Sequence, residues 1–172
     1  MVRIRTGRAV IRYPIRDYNS VLLVREIRTA RYALPGGAYD HRKDGSTLDT
    51  AVRELKEELG QGLEVVAAQY LGVHRGAIRD HDIYLMEVTG KVELGREVIG
   101  IAFFNSGREN KLPPQTLEDH IEFVRNLYRS GVLPGNRQPG ITYPYIPRRL
   151  MDDWQREVRS WRQQERFKSR RR

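Results

Sequence analysis

The sequence predicts an α/β or α+β fold in which helices pack on a mixed β-sheet. Two observations lead to this prediction. Segments with strand-like patterns and segments with helix-like patterns follow one another in the order strand, strand, helix, strands, helix. Each helical segment also carries an apolar stripe, which must be buried against another layer of structure. The strands supply that layer, so a sandwich of helices and sheet is expected.

The first two strands are predicted at residues 7–13 (GRAVIRY) and 20–26 (SVLLVRE), which are rich in aliphatic and β-branched side chains. A short extended piece at 32–34 follows them. It should end at the Pro35-Gly36-Gly37 turn, because proline and glycine interrupt regular structure. Residues 38–45 are polar and are predicted to form a loop.

A first helix is predicted from Ser46 or Thr47, either of which can cap its N-terminus, to about Leu59. Gly60 and Gly62 follow at the position where helices commonly end. At about 100° per residue, the apolar side chains gather on one side of this helix. They are Leu48, Ala51, Val52, Leu55 and Leu59.

Three further strands are predicted at 64–74, 81–89 and 97–104, and a second helix at 115–130. The apolar positions of the second helix are Leu117, Ile121, Val124 and Leu127. With these elements, the predicted main domain covers residues 1–133.

Two segments are predicted beyond that domain. Residues 134–147 form a linker rich in proline and glycine, and residues 148–172 form a basic amphipathic helix. The apolar stripe of that helix consists of Leu150, Trp154, Val158 and Trp161. We expect the stripe to dock on the body of the protein or on a second subunit, so a homodimer is possible.

Composition restricts the class of protein. The chain has 172 residues, of which 39% are hydrophobic and 31% charged, and this suits one folded domain with a terminal extension. No apolar run approaches the roughly 18 residues that span a bilayer, so no membrane association is expected. The absence of cysteine excludes disulfides, thiolate metal sites and cysteine nucleophiles. A cytoplasmic location is the resulting expectation.

The formal net charge of +9 is concentrated at the C-terminal end, where residues 148–172 hold ten Lys or Arg against four acids. A strongly basic segment suits an enzyme that acts on phosphates, and it also suits binding to nucleic acid. A solubilising charged helix would have the same composition.

The first helix also carries Glu54, Glu57 and Glu58, which the i, i+3, i+4 spacing places on a common face. Like charges at this spacing repel, and a solvated helix tolerates them because glutamate is a good helix former. Alternatively, a hard cation such as Mg²⁺ offsets the repulsion, since it prefers oxygen ligands and shares its shell with phosphates. Arg53, four residues before Glu57, can orient a carboxylate. Periodicity does not decide between these interpretations.

The run Arg53-Glu54-Leu55-Lys56-Glu57-Glu58-Leu59-Gly60, preceded by Gly36-Gly37, resembles the signature of the Nudix hydrolases. In that signature a glycine and a first glutamate precede Arg-Glu-apolar-x-Glu-Glu-x-Gly at fixed spacing. Here the connecting loop is two residues longer, and the first glutamate falls on Gly45, with Asp44 beside it. Gln61 also stands where the signature has an apolar residue.

The resemblance implies an α/β/α sandwich and hydrolysis of a nucleoside diphosphate linked to another group, with Mg²⁺ or Mn²⁺. Glu54, Glu57 and Glu58 would be metal ligands together with the carbonyl of Gly37, and Arg53 would position a carboxylate. Glu54 or a carboxylate on a later loop would activate the attacking water. Glu97 is expected as a further metal ligand, with Glu93 as the rival. The substrate would be a small molecule of nucleotide type.

Other side chains are candidate substrate contacts. Arg75 and Arg79 either contact phosphates or are ordinary surface arginines. His74 and His81 flank a polar loop and either contact substrate or are partly exposed at strand ends. Tyr32, Tyr39 and Phe103 either stack on a base or fill the core.

Two other functions remain open from the sequence. The enzyme could be an RNA 5′-end pyrophosphohydrolase that holds RNA phosphates with its basic tail. It could also be a Nudix-like module that binds nucleotide or nucleic acid without catalysis, as the Gly45 departure suggests.

Overall fold

The computed structural model describes residues 3–15, 18–104 and 118–131, and gives the backbone alone for 12–15, 18–20, 118 and 119. The predicted linker at 134–147 and the predicted helix at 148–172 lie outside these residues. The described elements are β1 (Ile4–Val10), β2 (Arg12–Ile15), β3 (Tyr18–Glu26), β4 (Tyr32–Ala33), β5 (Gly36–Ala38), α1 (Thr47–Leu59), β6 (Glu64–Arg75), β7 (Arg79–Thr89), β8 (Val98–Phe104) and α2 (Glu118–Arg129).

The strands form two sheets of four. In the first sheet the order is β5-β1-β7-β6, and it is mixed, because β1 runs parallel to β7 while the β1–β5 and β6–β7 pairs are antiparallel. In the second sheet β3 pairs antiparallel with β2, β4 and β8. The predicted mixed sheet with helices is thereby confirmed.

The two helices of the described residues pack on opposite faces of the strands. Ala9, Ile11, Leu22 and Val24 lie in one buried cluster with Ala51, Leu55 and Leu59 of α1. Their sequence neighbours Val10, Val21 and Leu23 lie in a second cluster with Ile121, Val124 and Leu127 of α2. Because successive strand residues point to opposite faces, this alternation defines a helix–sheet–helix sandwich.

One predicted strand is divided in two. The sequence predicts a single strand at 7–13, whereas the structure has β1 and β2 separated by Ile11. The carbonyl of Ile11 accepts a hydrogen bond from Leu22 N–H at 2.8 Å, so the chain passes here from the first sheet to the second. The apolar pattern continues across the transfer, which explains why periodicity alone does not reveal it.

Helix α1 begins and ends with specific hydrogen bonds. Ser46 is its N-cap, with a side chain that accepts from Asp49 N–H. At the other end, the N–H groups of Glu93 and Gly95 donate to the carbonyls of Leu59 and Glu58 at 2.7 and 2.9 Å. The helix therefore has both ends fixed. Among the described helices, none has the length and apolar character needed to cross a membrane.

Candidate active site

The Gly36-Gly37 turn lies against the acidic face of α1. Strand β5 pairs with β1, so that Gly37 stands opposite Gly7, and α1 packs closely over Gly7. A Cβ atom added to Gly37 would lie 2.2 Å from the Glu54 Oε1 atom. The glycine therefore leaves the space that the Glu54 carboxylate fills, and the structure brings together the two halves of the predicted motif.

Arg53 forms hydrogen bonds with several carboxylates of the acidic face. Its Nε and Nη2 atoms donate to both oxygens of Asp44 at 2.9 and 3.0 Å, in a bidentate pair. Its Nη1 atom donates to Glu54 Oε1 at 2.7 Å and lies 3.4 Å from both carboxylate oxygens of Glu57. Arg53 thus orients two of the three motif carboxylates and is itself held by a fourth.

Asp44 is almost fully buried at the end of the loop before α1. It also accepts from the Thr50 hydroxyl at 2.9 Å and from Asp40 N–H at 3.1 Å. The Arg53 bond is the main reason that the pKa of Asp44 lies well below its ordinary value, and the same bond raises the pKa of Arg53. Both groups are therefore charged at neutral pH.

The three glutamates of the motif differ in exposure. The Glu57 side chain is 50% exposed and the Glu54 side chain 20%, whereas Glu58 is only 7% exposed. Glu58 Oε2 accepts from Gly36 N–H at 3.0 Å. Burial raises the pKa of Glu58 to about 8, against the opposing influence of Arg8 and of that hydrogen bond. The exposure of the three glutamates therefore decreases across the predicted common face, from Glu57 at the surface to Glu58 in the interior.

The residues fit a hard divalent cation in chemistry. All donors are oxygen atoms on adjacent turns of one helix, as Mg²⁺ and Mn²⁺ prefer. Within the described part of the chain, no three His, Asp or Glu side chains converge so closely that they alone would hold a metal ion. Mg²⁺ usually completes its shell with water and substrate phosphates, so a site shared between protein and substrate is consistent with this arrangement.

Glu97 and Glu93, the predicted additional ligands, have other partners. Glu97 precedes β8 and forms an exposed ion pair with Arg28 at 3.3 Å. Glu93 forms an exposed ion pair with Lys91 at 2.8 Å, and this bond lowers the pKa of Glu93. Neither side chain has a described contact with the three motif glutamates.

The structure contradicts one secondary expectation, on His81, and decides two others, on Tyr32 and Phe103. His81 is buried and hydrogen-bonded to the Thr6 hydroxyl at 2.7 Å, not partly exposed at a strand end. Tyr32 and Phe103 are buried in the two core clusters, which excludes them as stacking surfaces for a base and agrees with the alternative of core packing.

The sequence reasoning missed two charged residues behind the site. Arg8 of β1 is buried, with Nη1 donating to the carbonyls of Leu34 and Gly36, while its Nε atom has no described partner. Glu26 at the end of β3 lies 3.9 Å from Arg8 Nη1. An arginine inside the apolar run of a central strand was the available signal, because such a residue is almost never buried without partners.

Comparisons with known proteins agree with this geometry. The family model of the NUDIX domain matches residues 5–139. No curated protein sequence gives a significant match. Among solved structures, the chain resembles a nudix hydrolase family member from Chromobacterium violaceum, with a TM-score of 0.59 and 24% identity over 74% of this chain and 78% of that one.

Two further structures share the fold. An ADP-ribose pyrophosphatase from Streptococcus suis has a TM-score of 0.54 and 21% identity over 85% of this chain and all of the other. The NUDIX domain of Shewanella oneidensis NrtR, complexed with ADP ribose, has a TM-score of 0.51 and 18% identity over 77% of this chain and 90% of that one. With the family model spanning most of its length, the chain belongs to the NUDIX domain family.

Proposed function

We propose that this enzyme hydrolyses the diphosphate bond of a nucleoside diphosphate derivative with the help of Mg²⁺ or Mn²⁺. The observation that carries the proposal is the contact between the Gly37 backbone and the Glu54 carboxylate, with Arg53 joining Glu54 to Glu57. Carboxylates gathered beside the half-buried Gly37 backbone offer oxygen ligands to a cation that also binds the substrate's phosphates.

The proposed roles follow from exposure and hydrogen bonding. Glu54, Glu57 and Glu58 would hold the ion together with the carbonyl of Gly37, and Arg53 would keep two of these carboxylates in place. When bound, the ion polarises phosphoryl oxygens and lowers the pKa of water. Glu54 or a carboxylate of a later loop would accept the proton from the attacking water.

Asp44 bears on whether the departure at Gly45 removes catalysis. The signature's first glutamate is replaced by Gly45, yet the neighbouring Asp44 supplies a buried carboxylate bonded to Arg53 through both oxygens. The longer loop therefore still delivers an acidic partner to the motif arginine. This contact supports an active enzyme over a module that only binds its ligand.

ADP-ribose is the first substrate to test. One structural relative is an ADP-ribose pyrophosphatase and another was solved with ADP ribose. We therefore propose a nucleoside diphosphate linked to a sugar as the substrate class. The RNA alternative depends on the basic residues at 148–172, which lie outside the described structure, and it enters the experiment as a separate arm.

The test is product analysis with purified full-length protein and Mg²⁺ or Mn²⁺. The substrates are ADP-ribose, other nucleoside diphosphate sugars, dinucleoside polyphosphates, nucleoside triphosphates and RNA with a 5′-triphosphate. AMP and ribose 5-phosphate from ADP-ribose are the expected products, and Glu57→Gln is the matched inactive control. Turnover of RNA alone would overturn the substrate class, and no turnover of any substrate would overturn the proposed function.

A further inference from the structure

The turn before Gly37 has every polar backbone group engaged. Leu34 O and Gly36 O both accept from Arg8 Nη1, and Pro35 O accepts from Ala9 N–H at 2.8 Å. Proline has no N–H to satisfy. The carbonyl side of the turn is therefore fixed entirely by β1.

The two N–H groups of the turn donate hydrogen bonds to side chains of two different helices. Gly36 N–H donates to Glu58 of α1, and Leu34 N–H donates to His120 Nδ1 of α2 at 3.2 Å. A turn held from both layers of the sandwich has little freedom to shift. In the described part of the structure, the bond between Leu34 N–H and His120 links α2 to this turn.

His120 is held in the state that this bond requires. To accept from a backbone N–H, Nδ1 must carry no proton, which leaves the ring proton on Nε2. The residue is 3% exposed, and burial together with the nearby charge of Arg8 keeps its pKa well below the ordinary value. His81 lies edge to face with His120, with ring centroids 4.9 Å apart.

We propose that His120 is a positioning residue of the metal site, which acts from α2 by fixing the turn that places Gly37 against Glu54. The proposal rests on the proposed function. Loss of the bond would let the turn move by a fraction of an ångström, and a carbonyl ligand tolerates little displacement because Mg²⁺ requires nearly ideal geometry. Residues that orient metal ligands commonly change affinity or activity by about 10- to 100-fold when they are replaced.

The test compares two amides at this position. In His120→Asn the side-chain oxygen lies near the place of Nδ1, whereas in His120→Gln it lies one bond farther out, near Nε2. Both replacements are polar and neutral, so they differ chiefly in whether Leu34 N–H keeps an acceptor. Mn²⁺ affinity, measured by titration calorimetry on full-length protein, is the readout besides activity.

We expect His120→Asn to bind Mn²⁺ within about threefold of the wild type, and His120→Gln to bind it about 10- to 100-fold more weakly. A parallel fall in kcat with little change in KM should accompany the loss. Val124→Ala is the matched control, because Val124 is a fully buried residue of the same helix that lies in the second core cluster. It should lower the melting temperature and leave Mn²⁺ affinity unchanged.

Three results would overturn the proposal. Equal Mn²⁺ affinity in the Asn and Gln variants would show that the acceptor at Nδ1 is irrelevant. A similar loss in Val124→Ala would show that general destabilisation of α2 is sufficient. Wild-type protein that neither binds Mn²⁺ nor hydrolyses any substrate would remove the proposed function itself, whereas active wild type with unaffected variants would remove only the role of His120.

Discussion

The Glu54 carboxylate occupies the space that a side chain at residue 37 would fill, with its Oε1 atom 2.2 Å from the position of a Gly37 Cβ. The backbone of Gly37 does not have the positive φ that favours glycine. Close approach of Glu54 is therefore the reason for glycine at this position. The contact joins a turn and a helix that are separated in the chain by the whole polar loop.

Gly37→Ala should reduce activity far more than stability. The new methyl group meets the far end of a flexible side chain, so Glu54 can swing away and the fold is preserved. We expect kcat/KM to fall at least about tenfold, equivalent to about 1.4 kcal/mol of transition-state stabilisation, while the free energy of unfolding changes by less than about 1 kcal/mol.

Two other glycines provide controls for this prediction. Gly62→Ala should be neutral, because no atom lies within 4 Å of the added Cβ. Gly95→Ala should destabilise the protein, because its Cβ would lie 1.7 Å from the backbone oxygen of Glu57. If Gly37→Ala kept full activity, the Glu54 position would not matter for turnover. Urea denaturation and steady-state kinetics give both measurements.

Asp44 and Arg53 should be strongly coupled. Removing either partner leaves the other charge largely buried, and we expect Asp44→Ala and Arg53→Ala each to lower the free energy of unfolding by about 2 kcal/mol or more. In the double variant the losses should not add, which gives a coupling energy of about 1–3 kcal/mol in a double-mutant cycle. Additive losses would mean that the bidentate pair contributes nothing specific.

Glu57→Gln should abolish metal-dependent turnover without harming the fold. Glu57 is half exposed, and its bonds to Arg53 are long, so its removal costs little, while repulsion from the neighbouring carboxylates is relieved. The melting temperature without metal should be unchanged or raised. A fully active variant would contradict the assignment of Glu57 as a metal ligand.

Added Mg²⁺ or Mn²⁺ should raise the melting temperature of the wild type, because a ligand that binds only the folded state stabilises it. Replacing Glu54, Glu57 and Glu58 together by glutamine should eliminate this shift. An equal shift in the triple variant would place the metal elsewhere in the protein. Scanning calorimetry with and without metal measures the effect.

The sequence was sufficient for the acidic helix and its contact with the turn, because local spacing and a motif specify both. The capped start near Ser46 and the end at Gly60 agree with the observed α1. The sequence was insufficient where an interaction joins distant segments. Glu58 is buried and interacts with Gly36 and Arg8, and no helical periodicity distinguishes it from Glu57.

The histidines illustrate the same limit. His81 lies in β7 and His120 in α2, with β8 between them in the chain, and their packing against each other follows from the parallel pairing of β1 with β7 and from the position of α2. A sequence pattern predicts the environment of each histidine from its neighbours in the chain. It does not show which residues of another layer of the sandwich will contact that histidine.

Glu58 should make the stability of the metal-free protein depend on pH. In the folded state its pKa is raised to about 8, mainly by burial, whereas in the unfolded chain it ionises near 4.5. The folded state therefore holds an extra proton between these values. Its contribution to stability is fully present below the unfolded pKa and is lost as pH rises through about 8, by an amount on the order of a few kcal/mol. Chemical denaturation in EDTA from pH 5.5 to 8.5 should show this decline in the wild type, and Glu58→Gln should flatten it.

His120 also makes stability depend on pH, but in the opposite direction. Because its pKa is lowered in the fold, the unfolded state gains a proton below about pH 6.5 and stability falls there, equally in both proteins. The difference between the two curves therefore isolates Glu58, and parallel curves would show that its carboxyl group is ionised in the fold.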